Sequence, residues 1–392
     1  MKLNFSFIVS MLLIVMAAAS CTAEPAAPAD TPDPAPWEES AVYPVYQSLT
    51  DEQKQLYNTV CEAIENHRTD RVLLGEYASR EERRAVADTF PLFYRELVFE
   101  HPEYFWVDLC SYTLAETDVN GERFTLSLEL NYVCDENTAD AQRAIFERKT
   151  NEILSAAREK DTLFEQVLFV YDAIMESARY DHALSDSNDS ADIGRSAYGC
   201  LIEGETVCSG YTLAFTYLMQ ELGVECRAEF NSYAPVSAIV GHVWNYCLLD
   251  GEYYYFDLTW DDTGFDAESY KPYLPYSHTY FGLTTDELSR THFSATDTPA
   301  PLCGGTAYNY FIYQEMNVQE YDYDKICDIL RSQSESSYAA IRFDSYSDLL
   351  HAESDLITNG GIFSVLEGKT DITYSVSKSG LHMYFFYENE GQ

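Results

Sequence analysis

The spacing of apolar positions changes several times along the chain, and each change marks an element. From Thr50 to His67, Leu56, Tyr57, Val60, Cys61 and Ile64 share one helical face, and Thr50 with Gln53 has the pattern of a capping box, which predicts a helix starting there. Ser79 with Glu82 predicts a second helix start of the same kind. The aromatic run HPEYFWV, 101–107, leads into a strand. Arg123 to Val133 alternates with Phe124, Leu126, Leu128, Leu130 and Tyr132 on one face, the pattern of a half-buried strand. This first region reads as a small α+β unit without a titratable cluster, so packing or recognition is its expected role. From about Thr138 the pattern is helical again. Thr162 with Glu165 caps a further helix, carrying Leu163, Val167, Val170, Tyr171 and Ile174.

The segment GETVCSGYTLAFTYLMQELGV, Gly204 to Val224, starts a helix at Cys208, sets Leu213, Ala214, Tyr217, Leu218 and Leu222 at helical spacing, and stops it at Gly223. A cysteine at a helix start meets unpaired amides and the positive end of the dipole, both of which favour a thiolate. Two β-rich runs follow, GHVWNYCLL (Gly241–Leu249) and EYYYFDLTW (Glu252–Trp260), separated by Asp250-Gly251, a hairpin dipeptide. With Leu249 facing Glu252, Asp257 falls opposite Trp244, and His242 lies two residues further along on the same face, within diagonal reach. Cysteine, imidazole and orienting carboxylate are the parts that nucleophilic catalysis needs.

Beyond Phe293 the pattern predicts a helix over Tyr323 to Arg331, a strand over Ala339 to Phe343, a helix over Asp344 to Ile357 and a terminal strand over Leu381 to Tyr387 after the Gly360-Gly361 turn. The loop DSNDSAD, Asp186 to Asp192, is rich in carboxylates but lacks the glycine and terminal glutamate of a calcium-binding EF-hand loop, so it reads as solvated, and no metal or other cofactor is expected.

The N-terminus changes the picture. Lys2 precedes an apolar run from Phe5 to Ala19, an export signal too short for a permanent span. The run ends in Ala18-Ala19-Ser20-Cys21, which resembles a bacterial lipobox and marks Cys21 for lipidation. Thr22 to Pro36 is dominated by alanine and proline, an extended tether. The organisation expected is a signal peptide and lipidation site over 1–21, a tether over 22–40, an N-terminal α+β region over 41–150, a catalytic domain over 151–300 and a C-terminal α+β region over 301–392. Among 392 residues, 65 acidic and 24 basic side chains give a formal charge of −41, which excludes nucleic acid as a partner. Ten cysteines permit disulfides in an exported protein without requiring them, and no pair forms a CxxC.

VCSGYT, GHVWN and YFDLTWDD, in that order, resemble the transglutaminase-like, papain-related superfamily, over roughly Val167 to Phe293. The flanking HPEYFW and CGGTAYNYF are similar to regions of transglutaminase-like lipoproteins of Gram-positive bacteria. The resemblance implies an α+β fold with the cysteine helix packed on an antiparallel sheet. It makes Cys208 the nucleophile, His242 the general base and Asp257 the orienting acid, with Trp244 and Trp260 packing around them. Papain relatives supply an oxyanion-binding glutamine shortly before the cysteine. Here Ile202 and Glu203 stand in that neighbourhood, which leaves the Cys208 amide and, as second candidate, Tyr198.

Two readings follow. One is a lipid-anchored enzyme on the outer face of the bacterial cytoplasmic membrane, a protease, deamidase or transglutaminase acting on a protein, peptide or cell-wall peptide. The other is a surface-binding lipoprotein on a silent version of the same fold. A solute-binding lipoprotein would show two large similar lobes, and the pattern has none.

Overall fold

The computed structural model describes residues 40–187, 189–231, 241–262, 274–294 and 300–389. The export signal, Cys21 and nearly all of the tether lie outside them. No helix among the described residues is long and apolar enough to cross a membrane.

The chain opens with helices α1 (Pro44–Ser48) and α2 (Asp51–Glu65), and Thr50 and Gln53 close the reciprocal capping box of α2. Strand β1 (Val72–Tyr77) precedes the long helix α3 (Arg80–Glu100). Ser79 caps α3, but the Glu82 carboxylate accepts from the Ala78 amide rather than from that of Ser79, so half of the expected box forms. Strands β2 (Val107–Val119) and β3 (Arg123–Tyr132) turn at Asn120-Gly121, both with positive φ, and with β1 make an antiparallel sheet in the order β1-β3-β2. Phe124, Leu126, Leu128 and Leu130 are buried on one face of β3, following the alternation.

Helices α4 (Glu136–Ala157) and α5 (Leu163–Ser177) lead to the centre of the molecule, α5 under the Thr162–Glu165 capping box. Short pieces follow: β4 (Arg179–Tyr180), α6 (His182–Ser185) and β5 (Glu205–Thr206), the last parallel to β4. Helix α7 (Cys208–Glu221) then packs on an antiparallel sheet ordered β6-β7-β8-β9, with β6 at Cys226–Phe230, β7 at Val243–Leu249, β8 at Glu252–Phe256 and β9 at Phe281–Leu283. Helix α8 (Leu258–Asp261) follows β8, and α9 (Thr285–Leu288) follows β9.

The rest comprises α10 (Tyr310–Tyr313), β10 (Asn317–Val318), α11 (Tyr323–Ser332), β11 (Tyr338–Phe343), α12 (Tyr346–Glu353), α13 (Ile362–Val365), β12 (Lys369–Ser377) and β13 (His382–Asn389). Its sheet is ordered β10-β11-β13-β12.

One hydrophobic core is continuous from Tyr46 to Tyr308, while residues from Val318 to Tyr387 make a cluster of their own. The divide expected at residue 150 falls inside α4. Phe105, from the HPEYFWV run, explains the continuity: its ring lies 5.3 Å from that of Phe146 on α4 and 4.9 Å from that of Tyr198.

The N-terminal region also holds a titratable cluster that the sequence reading missed. The Glu100 carboxylate accepts from the amides of Val45 and Tyr46 at 2.6 and 3.0 Å and from the Tyr57 hydroxyl at 2.7 Å, while His101 Nδ1 meets Glu103 at 2.7 Å. The groups come from separate elements, so no local motif announces them. They pin α1 to α3.

Candidate active site

Four stretches of chain converge at the start of α7. Thr50, Thr162 and Asp257 cap their helices with side chains, but Val207 at the start of α7 supplies no capping side chain. The helix end therefore keeps its positive character at Cys208. Gly210, two residues on, has a packing reason to be glycine. A Cβ there would stand 1.9 Å from Thr206 Oγ1 and 2.9 Å from the Ser196 carbonyl, so only glycine lets the first turn press against the preceding loop. Cys208 is 7% exposed.

The helix is tied to the sheet by polar contacts. Thr212 donates its hydroxyl to the Val243 carbonyl at 3.2 Å, and Asn245 Nδ2 donates to the Thr212 carbonyl at 3.1 Å and to Thr216 Oγ1 at 2.9 Å. These bonds set the height of Cys208 against the strand that follows His242.

The hairpin has the expected register. Leu249 pairs with Glu252 and Asn245 with Phe256, and Asp250-Gly251 turns with φ of +50° and +86°. Strand β8 ends at Phe256, and Asp257 becomes the cap of α8, its Oδ1 accepting from the Trp260 amide at 3.1 Å. Its Oδ2 lies 2.5 Å from His242 Nε2. Since Nε2 is taken by Asp257, Nδ1 is the ring nitrogen left for another partner, and Cys208 is close enough to act on the same imidazole. Burial disfavours the imidazolium, but the Asp257 charge and hydrogen bond, with the Cys208 contact, outweigh it and push the His242 pKa up to about 10. Burial would likewise raise the Asp257 carboxyl, yet His242 and His292 hold it well below the usual carboxylate range.

His292 is the participant that the sequence reading passed over. Its Nε2 lies 2.9 Å from the same Asp257 Oδ2. These three side chains could converge on a cation, but separations of 2.5 and 2.9 Å are hydrogen-bond distances. Two atoms sharing a tetrahedral zinc at about 2.1 Å stand roughly 3.4 Å apart. Trp244 and Trp260 wall the two imidazoles: the Trp244 ring is 5.5 Å from that of His242 and the Trp260 ring 4.3 Å from that of His292.

Tyr198, the second oxyanion candidate, is 3% exposed and its ring stacks on that of Phe105. Tyr180 pairs with Thr206, two residues before Cys208, and its hydroxyl, pushed up mainly by burial, donates to Ser185 Oγ at 2.9 Å.

The other two acids of DLTWDD have structural work. Asp261 is fully buried among the hydroxyls of Tyr171 (2.6 Å) and Ser277 (2.5 Å) and the Tyr280 amide, and burial pushes its pKa up to about 6 despite those bonds. Asp262 accepts from the Tyr180 amide at 3.0 Å and the Tyr211 hydroxyl at 2.8 Å, joining β4 to α7. In the DSNDSAD loop, the Asp189 and Asp192 carboxylates accept from the amides of Ala191 and Gly194, and Arg195 closes the loop on the carbonyls of Leu184, Ser187 and Asp189.

Residues 148–258 match the model of the Transglutaminase-like superfamily, a stretch that takes in Cys208, His242 and Asp257 and stops short of His292. Among solved structures, one described as a TGase is 15% identical, with a TM-score of 0.26 over 41% of this chain and 48% of its own. A candidate cysteine protease from Cytophaga hutchinsonii is 16% identical, with a TM-score of 0.22 over 38% of this chain and 62% of its own. The chain thus spans less than two thirds of either. No curated protein matches it.

Proposed function

From the transglutaminase-like domain that residues 148–258 carry, we propose that the protein is a cysteine enzyme of acyl transfer or hydrolysis, acting on a peptide or carboxamide bond. The observation that carries this reading is one imidazole bonded to a carboxylate with a thiol nearby: His242 bonds Asp257 through Nε2, which leaves Nδ1 for Cys208, a group that acts on the same ring. The Cys208 thiolate attacks the carbonyl carbon while its former proton sits on His242 Nδ1. The tetrahedral oxyanion is met by the Cys208 amide at the start of α7. As the C–N bond breaks, His242 returns the proton to the departing amine or ammonia, leaving a thioester. Water or a second amine attacks the thioester, gives its proton to His242, and regenerates the thiol. Water makes the protein a peptidase or deamidase, an amine a cross-linker.

The anchor reading belongs here too. Lipidation at Cys21 would hold the domain on the outer face of the cytoplasmic membrane, near protein and cell-wall peptide substrates. The slight exposure of Cys208 is the observation that favours the second reading, a silent surface-binding protein.

One experiment separates the two. Alkylation of Cys208 by iodoacetamide is followed from pH 5 to 9 in wild type, His242→Ala and Asp257→Asn. An activated thiol reacts measurably at pH 6 to 7, His242→Ala loses that reactivity, and Asp257→Asn lies between, with a base present but unoriented. Identical profiles for folded wild type and His242→Ala would leave the silent reading standing.

A further inference from the structure

We propose that His292 is a positioning residue of the site, a second imidazole that holds Asp257 Oδ2 in place so that His242 presents Nδ1 to Cys208. The proposal deepens the acyl-transfer reading and rests on it for its kinetic part.

The carboxylate of Asp257 is occupied on both oxygens. Oδ1 accepts from the Trp260 amide, and Oδ2 is shared by His242 Nε2 and His292 Nε2 at 2.5 and 2.9 Å. An ionised carboxylate only accepts, so the His292 nitrogen facing it carries a proton. The opposite nitrogen, Nδ1, lies 2.8 Å from the Thr291 hydroxyl, which holds the ring from its far side. Trp260 at 4.3 Å, Trp244 at 4.9 Å and Tyr280 at 5.4 Å enclose the imidazole, and His292 is 7% exposed. A ring bonded at both nitrogens and boxed by three aromatics has one orientation, and its N–H points at the carboxylate that orients the base.

The geometry has a reason. Asp257 sits just past the end of β8 with its backbone held by the Tyr280 carbonyl and the Tyr171 hydroxyl, while one amide and one histidine alone would leave its side-chain carboxylate room to turn. The residue that stops this comes from beyond α9, outside the stretch that matches the family. Among the described residues, Cys208 is a further titratable group acting on His242, and the aromatic rings named above pack around the imidazoles.

The test has a structural and a kinetic readout. In the folded wild-type protein, NMR of the imidazole N–H protons should show two deshielded, slowly exchanging signals, assigned to His242 and His292 by loss in each single variant. In His292→Phe, which keeps the aromatic volume and removes the donor, Cys208 alkylation at pH 7 should fall about tenfold, the scale of one hydrogen bond to a charged group. The alkaline limb of its profile should move upward, because the Asp257 charge then acts on His242 alone. His292→Gln, whose amide N–H can reach the same oxygen, should restore most of the rate and the limb. A His292→Phe profile identical to wild type overturns the proposal, as does a His292→Gln variant no better than His292→Phe, since the ring would then only fill space. If His292→Phe does not fold, the wild-type NMR signal and His292→Gln decide, and absence of a His292 N–H signal is fatal. Should wild-type Cys208 prove unactivated while the His292 signal is present, the enzyme reading fails and the anchoring of Asp257 stands.

Discussion

At the scale of single residues, the pairing of His242 with Asp257 ties stability to pH. The folded pKa of His242 is raised from 6.5 to about 10. A raised folded pKa contributes stability that is fully present below the unfolded value and lost as pH rises through the folded one. Asp257 behaves in the opposite sense: its folded pKa is depressed, so its contribution is present above the usual carboxylate range and lost only in strong acid. Urea unfolding of wild type should therefore weaken steadily between pH 6.5 and 10, and His242→Ala should be less stable near pH 6 but flatter across that interval. Parallel curves for the two proteins would show that the pair contributes nothing to folding. Cys208, His242 and Asp257 were legible in the chain because a helix start and a two-residue turn fix their relative places by local rules. His292 was not, since a lone histidine in a polar stretch announces nothing until the fold brings it beside a carboxylate 35 residues earlier. Tyr198 and Tyr180 both precede Cys208, and only the pairing of β4 with β5 sets Tyr180 opposite Thr206.

At the scale of elements, the first turn of α7 is set by contact with the loop before it. Gly210→Ala should destabilise the protein by about 3 kcal/mol, at the upper end of ordinary overpacking costs, because the added methyl would meet backbone carbonyls as well as Thr206. Chemical denaturation measures this, and a loss under about 0.5 kcal/mol, an ordinary surface effect, would contradict the packing argument.

Strands β6 and β7 carry a second consequence. Leu248 donates to the Glu225 carbonyl and Asn231 to the His242 carbonyl, so these are hydrogen-bonded pairs, and Cys226 opposite Cys247 falls on the alternate, non-hydrogen-bonded kind. Their Cα atoms are then about 4.5 Å apart, within the span of a disulfide. Both are free thiols in this structure. Refolding with a disulfide exchange reagent should close the bridge, the two thiols being oxidised as the reagent is reduced, and peptide mapping should find Cys226 linked to Cys247. Recovery of both as thiols, with the protein folded, would refute it. Strand β6 and the edge strand β12, none of whose residues is fully buried, escaped the sequence reading because neither has a clean alternation: β6 is five residues, and β12 is largely threonine, serine and charge.

At the scale of the whole molecule, the sequence suggests an N-terminal, a catalytic and a C-terminal region, and in the structure one core runs through the first two by way of Phe105 and α4 while the C-terminal sheet keeps its own core. Aromatic clusters such as HPEYFW mark a strand start in sequence, but the partner they pack on is a long-range fact. Arg342 of β11 pairs with Glu287 of α9, and Thr279 meets the Tyr384 hydroxyl at 2.8 Å, so the C-terminal sheet docks on the segment that supplies His292. Attachment to the membrane is tested on the full-length precursor. Cys21→Ala should move the protein from the membrane fraction to the soluble fraction, since the tether offers no other apolar anchor, and unchanged membrane retention would argue against lipidation.

The placement of His292 bears on how the protein is made. A polypeptide extends from its N-terminus, so Cys208, His242 and Asp257 emerge before the residue that steadies Asp257 and before the C-terminal sheet that braces the segment around it. Under the proposed mechanism, a chain that ends before His292 would have Cys208, His242 and Asp257 but an unsteadied carboxylate, and the thiol would gain its full reactivity only when the later residues have folded back onto it.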